Sequence, residues 1–259
     1  MAELNGVPVA LNDLKALALT NYGHFTSIRV EDQHVRGLSL HMDRLVRDCR
    51  ALFNAELDPQ RIRDFTRKAV GDKPGSFVVR VTVFDPALEM GHPGVSAEPH
   101  ILVTTRAAAG TPLPPMRVKS LSYRRDLPAV KHVGLFGQIK MRRDAQLAGF
   151  DDVLFTEGSG LISEGGTWNC GFFDGERVIW PQADVLPGVT MRLLQQAHER
   201  TITAPVTLDD LPRMEAAFAT NAGIGVRAIT AVDATELATE HPIIETLRQA
   251  YADVPREKL

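Results

Sequence analysis

Hydrophobic patterns divide the first part of the chain into strands and helices. The segments "FTSIRV" and "SFVVRVTVF" are rich in β-branched residues and partly alternate between apolar and polar positions, which is typical of strands. Between them, apolar residues recur at helical spacing in two groups, which are Met42, Leu45, Cys49, Leu52 and Phe53, and then Ile62, Phe65 and Ala69. We therefore expect an α+β domain with two amphipathic helices.

Strand signals dominate the second part of the chain. Lys131 is expected at a strand end, a helix is predicted over roughly 135–148, and "DDVLF" is typical of a strand. Asp174 and Gly175 stand between two apolar runs, which is a strong hairpin signal. Strands should form the body of this part, with helices packed on its outside.

Two turns in this part place small or polar residues next to regular elements. Pro187 and Gly188 interrupt the chain just before a predicted helix. The stretch "AAFATNAGIGVRAI" is apolar on both sides of a polar turn at Asn221.

A change in composition separates the two parts. The segment "RAAAGTPLPPMR" is rich in Ala, Gly and Pro and lacks helical or strand periodicity, so it is expected to be a linker. We predict an N-terminal α+β domain over 1–106, a linker over 107–117 and a C-terminal domain over 118–259.

Composition and charge narrow the function classes. The 259 residues carry a formal net charge of -3, so no overall positive charge favours nucleic acid or an anionic membrane. Cys49 and Cys170 are too few for a disulfide framework, which favours a reducing compartment. No N-terminal signal pattern or membrane-length apolar run is present, so we expect a cytoplasmic protein whose partner is a small molecule or another subunit.

Other polar groups give weaker signals. Three histidines lie close together in sequence, namely His24, His34 and His41. Their spacing matches no helical metal pair with a third ligand, so no metal site is expected. The basic residues of the predicted 135–148 helix are expected to form a solvated face, namely Lys140, Arg142 and Arg143.

Lys131 is the most informative candidate for chemistry. It stands in "LPAVKHVGLFGQ", an apolar setting in which a lysine is seldom found without a reason. Pyridoxal phosphate chemistry needs a lysine, a carboxylate at the pyridine nitrogen, and a phosphate site of N–H groups, hydroxyls and an arginine. All of these residue types occur in the chain.

The order of these residues resembles the fold type IV pyridoxal phosphate enzymes. That family includes branched-chain and D-amino-acid aminotransferases and 4-amino-4-deoxychorismate lyase. The similarity lies in "YGHFTSIRV", "HMDRLVRDC", "RRDAQLAGFDDVLF", "LISEGGTWNCGFF", "LPGVTMRLL" and "ATNAG". It implies a smaller N-terminal α/β sandwich domain, a larger strand-rich, barrel-like C-terminal domain and a cofactor in the cleft between them.

The resemblance also implies a set of cofactor residues. Lys131 matches the family's Schiff-base lysine, and Glu164 in "SEGGTWN" matches the glutamate that contacts the pyridine nitrogen. The residues that match the family's phosphate site are Arg44, Val189, Thr190, Asn221 and Ala222. Relatives often have a serine or threonine where this chain has Asn221.

The substrate side departs from the family pattern. In "YGHFTS", His24 and Phe25 replace the usual groups at the substrate mouth. The predicted substrate pocket contains Phe25, Arg80, Phe84 and Phe136. Phe136 stands where branched-chain enzymes have a tyrosine. Phe84 lies near the place of a carboxylate-binding arginine. Arg80 is the candidate for that role, with a structural role at a domain seam as the alternative.

The resemblance predicts a homodimeric aminotransferase that exchanges an amino group between an amino acid or amine and a 2-oxo acid. A first alternative is a lyase of the aminodeoxychorismate type that releases pyruvate. A second alternative is a homologue that binds pyridoxal phosphate without turnover. The sequence leaves the donor, the acceptor and the stereochemical preference open.

Overall fold

A computed structural model describes residues 2–72, 74–158 and 160–259. It contains two compact units. The first comprises the described residues up to Ala109, together with Val130–Gly134 and Pro255–Leu259. The second comprises Gly110–Ala129 and Leu135–Val254. The short segment around Lys131 thus belongs to the first unit, whereas the sequence pattern grouped it with the second. The predicted boundaries at 106 and 118, and the predicted cofactor position, stay predictions.

The described residues form sixteen strands, numbered in chain order. They are β1 (Ala2–Leu4), β2 (Val7–Pro8), β3 (His24–Glu31), β4 (His34–Arg36), β5 (Ser76–Phe84), β6 (His100–Ala107), β7 (Met116–Ser122), β8 (Asp152–Glu157), β9 (Leu161–Gly165), β10 (Asn169–Phe173), β11 (Val178–Pro181), β12 (Thr201–Ala204), β13 (Ala216–Asn221), β14 (Gly225–Val232), β15 (Thr235–Glu236) and β16 (Arg256–Lys258).

The described residues form six α-helices. They are α1 (Lys15–Thr20), α2 (Leu38–Phe53), α3 (Pro59–Val70), α4 (Phe136–Leu147), α5 (Val189–Ala197) and α6 (Pro242–Asp253). Short 3-10 turns span Leu11–Leu14 and Leu208–Arg213. Asp58 caps α3 by accepting a hydrogen bond from the N–H of Gln60, and Pro59 follows at the first helical position, where proline needs no hydrogen-bond donor.

The first unit is an antiparallel sheet with two helices on one face. Within its described residues the strand order is β16-β4-β3-β5-β6-β1-β2. Residues of β3 and β5 alternate between the faces, so Ile28 and Val81 pack with Leu45 of α2 and Ile62 of α3. This arrangement confirms the α/β sandwich that the sequence predicts.

The second unit is a mixed sheet that curls. Its path through the described residues is β12-β11-β10-β13-β14-β7-β8-β9, with β15 paired to β14. The pairs β11–β12, β14–β7 and β7–β8 are parallel. At the curled end, β9 contacts β10. Trp180 and Phe218 pack with Leu247 of α6 in a core between the sheet and its outer helices. The predicted barrel-like domain is confirmed as a half-barrel.

Most sequence-predicted elements are present near their predicted positions. The two amphipathic patterns correspond to α2 and α3, and the predicted helix over 135–148 corresponds to α4. Asp174 and Gly175 connect β10 to β11, which pair as a hairpin. Lys131 was expected at a strand end, which is wrong, because its segment forms only an isolated bridge between His24 and His132. Within the described residues, no helix is long and apolar enough to cross a membrane.

Candidate active site

In the first unit, backbone hydrogen bonds join the Lys131 segment to the start of β3. The N–H of Phe25 donates to the carbonyl of Lys131 at 2.8 Å, and the N–H of Val133 donates to the carbonyl of Gly23 at 2.9 Å. These bonds extend the sheet beside β3. The backbone of Lys131 is therefore aligned with that of Phe25.

A buried carboxylate of α2 binds the same segment from the other side. The N–H of Lys131 donates to Oδ2 of Asp48 at 2.9 Å. The other oxygen of Asp48 accepts from Nε and Nη2 of Arg47, at 3.0 and 2.7 Å. Asp48 is completely buried. Both backbone polar groups of Lys131 thus have protein partners.

The Lys131 side chain lies beside an aromatic ring that also contacts an arginine. Nζ of Lys131 is 4.8 Å from the centroid of the Phe25 ring, and the guanidinium carbon of Arg80 is 3.6 Å from it. Nε of Arg80 donates to the hydroxyl of Thr82 at 3.2 Å. Burial lowers the pKa of Arg80, and no carboxylate of the described residues pairs with it. Phe25, Arg80 and Lys131 are therefore brought together, as the predicted assignment requires.

Arg44 is buried on the sheet side of α2. Its Nη2 donates to the hydroxyl of Thr26, which also lies 2.7 Å from Nδ1 of His41. Burial lowers the pKa of His41 well below its ordinary value, and the charges of Arg44 and Lys131 lower it further. Arg44 is therefore a buried cation beside a neutral histidine, not a solvated helix residue.

His24 does not line a mouth. It alternates with Phe25 on β3 and lies on the side covered by helices, where its ring is 6.2 Å from that of Phe53. Its exposed fraction is 0%, and neither ring nitrogen bonds to any described residue. Burial lowers its pKa to about 3, with further lowering by Arg44 and Arg47. The expectation that His24 faces substrate is wrong, because strand alternation turns it towards α2.

Two predicted pocket residues have other surroundings. Phe84 is completely buried and packs with Leu4 and Leu102 in a small core. This packing favours a structural role for Phe84 over the predicted one. Phe136 is the first residue of α4 and is 84% exposed, so the packing of the single chain gives its predicted pocket role no support.

In the second unit, Glu164 forms a buried ion pair that the sequence did not reveal. Oε1 of Glu164 is 3.2 Å from Nη1 of Arg125, and both side chains are almost completely buried. Oε2 of Glu164 accepts from the N–H of Leu186 at 3.2 Å. The same Arg125 nitrogen donates to the carbonyl of Pro128. These bonds fix the orientation of the Glu164 carboxylate and place a cation beside it.

The residues before α5 leave its first N–H groups open to an anion. Gly188 precedes the helix without a side-chain cap, and Val189 and Thr190 form its first turn. The Thr190 hydroxyl is buried and bonds to no described residue. A Cβ on Gly188 would lie 2.1 Å from Oδ1 of Asn169, so a larger residue there would require the Asn169 side chain to move. A helix N-terminus with such a hydroxyl is suited to phosphate.

Asn221 shapes the turn between β13 and β14. Its Oδ1 accepts from the N–H groups of Gly223 and Ile224, at 2.8 and 3.0 Å. Its Nδ2 donates to the carbonyl of Thr167 at 3.1 Å. Because its side chain is used in this way, the predicted phosphate contact would fall to the backbone N–H groups of Asn221 and Ala222. The adjoining Thr220 hydroxyl is buried and bonds to no described residue.

Arg142 is not part of a solvated face as the sequence suggested. Its Nε donates to Oδ1 of Asp152 and its Nη2 to the hydroxyl of Thr167, both at 2.8 Å. Nε1 of Trp168 donates to Oδ2 of Asp152 at 3.0 Å. These bonds hold the loop before β10, which Asn221 also contacts. Long-range partners of this kind leave no periodic signal in a sequence.

The polar groups of each unit are of the kinds that a pyridine cofactor with a phosphate requires. The first unit offers an amine and the buried Arg44. The second offers a carboxylate acceptor, an uncapped helix start and the two unpartnered hydroxyls of Thr190 and Thr220. Within the described residues, no group of three His, Cys, Asp or Glu side chains is arranged to hold a metal ion.

The Arg125–Glu164 pair generates a stability prediction. We expect Arg125→Met to cost about 3–5 kcal/mol, because it leaves the Glu164 carboxylate buried without its cation. Adding Glu164→Gln should recover part of that loss. The matched control is Arg124→Met, whose ion pair with Asp184 is exposed and should contribute at most about 1 kcal/mol. Urea unfolding measures all three, and equal effects for the two arginines would contradict the prediction.

The burial of His24 generates a pH prediction. Unfolding restores its ordinary pKa, so below pH 6.5 the unfolded chain binds a proton that the folded chain, with a pKa of about 3, does not. Stability therefore falls as the pH decreases through this range. Between pH 7 and pH 5 the wild type should lose about 2 kcal/mol more than His24→Leu. Urea midpoints at both pH values measure this difference. The exposed-residue control His92→Gln should behave as the wild type, and equal losses for His24→Leu and wild type would refute the prediction.

Comparisons with known proteins bear on the fold and the family of this chain. A comparison with curated protein sequences gives no match. A branched-chain aminotransferase from Thermoproteus uzoniensis, solved with norvaline, has a TM-score of 0.87 at 16% identity, over 97% of this chain and 93% of that one. A fold IV transaminase from Curtobacterium pusillum has a TM-score of 0.79 at 22% identity, over 95% and 88%.

A third similar structure is a hypothetical aminotransferase from Mycobacterium tuberculosis bound to alpha-ketoglutarate and PMP. Its TM-score is 0.82 at 17% identity, over 96% of this chain and 94% of that one. Likeness at such identities shows the fold. The family described as amino-transferase class IV matches residues 23–232, most of the chain. The chain therefore belongs to the class IV aminotransferase family, whose enzymes use pyridoxal phosphate.

Proposed function

We propose that this enzyme transfers an amino group between an amino acid or amine and a 2-oxo acid, with Lys131 as the residue that binds pyridoxal phosphate covalently. The observation that supports this most directly is the setting of Lys131. Both of its backbone polar groups are bonded, and its amine lies beside Phe25. The guanidinium of Arg80, which no described carboxylate pairs with, stacks on the same ring. An amine fixed next to a carboxylate-binding cation suits an amino acid substrate.

Glu164 would contact the pyridine nitrogen. Bound pyridoxal phosphate supplies an electron sink for the substrate's α-carbon, and a protonated ring nitrogen strengthens it. The Glu164 carboxylate, held by Arg125 and the N–H of Leu186, would accept a hydrogen bond from the ring nitrogen and so keep the proton on the ring. The same two bonds orient the carboxylate before any ligand arrives. Its role is therefore electronic and its geometry is preset.

The phosphate would be bound by backbone N–H groups and charge. Val189 and Thr190 offer the helix start, Asn221 and Ala222 offer the second turn, and Arg44 offers a cation. The buried Thr190 hydroxyl would gain a partner in the phosphate, which offsets the cost of burying it unbonded.

Lys131 would also move the proton of the reaction. Its amine would remove the proton from the substrate's α-carbon as a general base, then return it to the cofactor carbon as a general acid. Geometry governs the efficiency of such transfer, because the nitrogen must stay within hydrogen-bond reach of both atoms. The bonded backbone of Lys131 supports this role, because it fixes the point from which the side chain extends.

Arg80 would bind the substrate carboxylate. Among the described residues, its Nε bonds to a neutral hydroxyl and its guanidinium covers an aromatic ring, so a partly buried positive charge remains to be neutralised. A substrate carboxylate would provide the neutralising negative charge. Phe25 makes the surroundings apolar, which favours a hydrophobic amino acid over a second carboxylate.

We also propose a homodimer in the cytoplasm. Phe136 and Ile139, three residues apart on α4, are 84% and 57% exposed, so a large apolar surface of this helix is left for a partner. A second copy of the chain would cover it. Cys49 and Cys170 are buried free thiols, in keeping with a reducing compartment.

One assay separates the candidate reactions. The purified protein would be incubated with D- and L-amino acids, amines and aminodeoxychorismate, while the cofactor spectrum and 2-oxo acid products are followed. Amino transfer to a 2-oxo acid supports the proposal. Pyruvate release from aminodeoxychorismate without transfer would identify a lyase. A spectrum that responds to none of these substrates would identify a cofactor-binding homologue without turnover.

The first prediction of this proposal concerns the covalent link. Borohydride reduction followed by peptide mapping should place the pyridoxyl group on Lys131, because its amine is the one held beside Phe25 and Arg80. Lys131→Ala should abolish turnover and still bind cofactor weakly through the phosphate. A label on Lys119 or Lys140 would overturn the assignment.

The second prediction concerns Arg80. Arg80→Ala should raise the KM for amino acids about tenfold or more, which corresponds to about 1.4 kcal/mol, because their carboxylate loses its cation. Amines without a carboxylate should be almost unaffected. Steady-state kinetics with matched amino acid and amine pairs measures the difference. An equal loss for both classes would show that Arg80 is structural.

A further inference from the structure

Asp48 occupies a position where the helical pattern calls for an apolar residue. It stands three residues after Leu45 and four before Leu52, on the buried stripe of α2. Burying a carboxylate costs several kcal/mol unless its oxygens are bonded, whereas a leucine there would cost nothing of the kind. A charged residue at this position therefore needs an explanation beyond packing.

The bonds of Asp48 supply that explanation. One oxygen is bonded to Arg47, whose side chain is 46% exposed and could pair equally well with a surface carboxylate. The other oxygen accepts the N–H of Lys131 at 2.9 Å. This second bond is the one that requires a buried acceptor, because it joins α2 to a segment that is remote in sequence.

We infer that Asp48 is a positioning residue for Lys131. Its carboxylate holds the lysine N–H while the N–H of Phe25 holds the lysine carbonyl, so the peptide groups on both sides of the lysine Cα are fixed. The side chain then starts from one backbone orientation, and its amine stays near Phe25. The inference rests on the proposed role of Lys131 and adds a residue that the family resemblance does not assign.

The rate at which pyridoxal phosphate becomes covalently attached to Lys131 tests this role. The amine of Lys131 condenses with the cofactor aldehyde and one water leaves, so the rate of attachment depends on how the amine is held. Pyridoxamine phosphate has no aldehyde and binds without this step. Cofactor-free protein would be mixed with pyridoxal phosphate, reduced with borohydride at set times, and the Lys131 adduct counted by mass spectrometry. The affinity for pyridoxamine phosphate would be measured in parallel.

Three variants test the role. Asp48→Ala should slow attachment about tenfold or more, because a misplaced reacting group costs at least that much. Its affinity for pyridoxamine phosphate should be unchanged. Asp48→Asn keeps an oxygen that can accept the Lys131 N–H, so it should restore much of the rate. Asp58→Ala, which removes the cap of α3, is the matched control for a structural loss and should alter neither quantity.

The outcomes separate this inference from the proposed function. A wild-type adduct on another lysine would overturn the assignment of Lys131. If the wild-type adduct is on Lys131, a normal attachment rate in Asp48→Ala would overturn the role of Asp48 alone. The same conclusion would follow if Asp48→Ala lost attachment rate and affinity for pyridoxamine phosphate to the same extent. If Asp48→Ala does not fold, amide hydrogen exchange of the cofactor-free wild-type protein tests the inference instead. The Lys131 N–H should exchange slowly, and rapid exchange would refute the inference.

Discussion

Side-chain alternation along β3 is the constraint on which the first half of the site depends. One set of residues, including Thr26 and Ile28, faces α2, while Phe25 faces the other way. The strand also provides the backbone partners of the Lys131 segment. A single strand therefore positions the lysine, its aromatic neighbour and, through Thr26, the buried Arg44.

The first unit concentrates charge near this strand and keeps its histidines neutral. Arg44, Arg47 and Lys131 are cationic, and Asp48 provides a buried negative charge among them. His24 and His41 are held uncharged, first by burial and then by these cations. A neutral histidine can lie beside an arginine without repulsion. This balance allows polar residues to occupy the interface between α2 and the sheet.

In the second unit, the proposed cofactor contacts come from loops and element ends. They are the carboxylate of Glu164 and the hydrogen-bond donors at the start of α5. Leu186 connects the two, because its N–H binds Glu164 and its carbonyl accepts from Asn169. The loop before β10 is likewise fixed, by Arg142 on one side and Asn221 on the other. Bonds from rigid strands and helices thus set the loops that would meet the cofactor, so little reorganisation is needed on binding.

The sequence by itself determined the strongly periodic elements. The helices α2 and α3, the strands β3 and β5 and the β10–β11 hairpin all follow from local spacing, because each buries one face or needs one turn type. The family resemblance named Lys131, Glu164 and the phosphate residues, because their order is characteristic.

Only the tertiary structure decided which polar residues hydrogen-bond to the residues of the candidate site. Arg125, Asp48 and Arg142 act through partners that lie 39, 83 and 25 positions away in sequence. The family resemblance placed His24 at the substrate mouth and the helical pattern placed Arg142 in solvent. Both expectations failed, because burial and hydrogen bonding depend on which distant segments pack together. Periodicity records the face that an element buries, whereas the partner across that face is set by the fold.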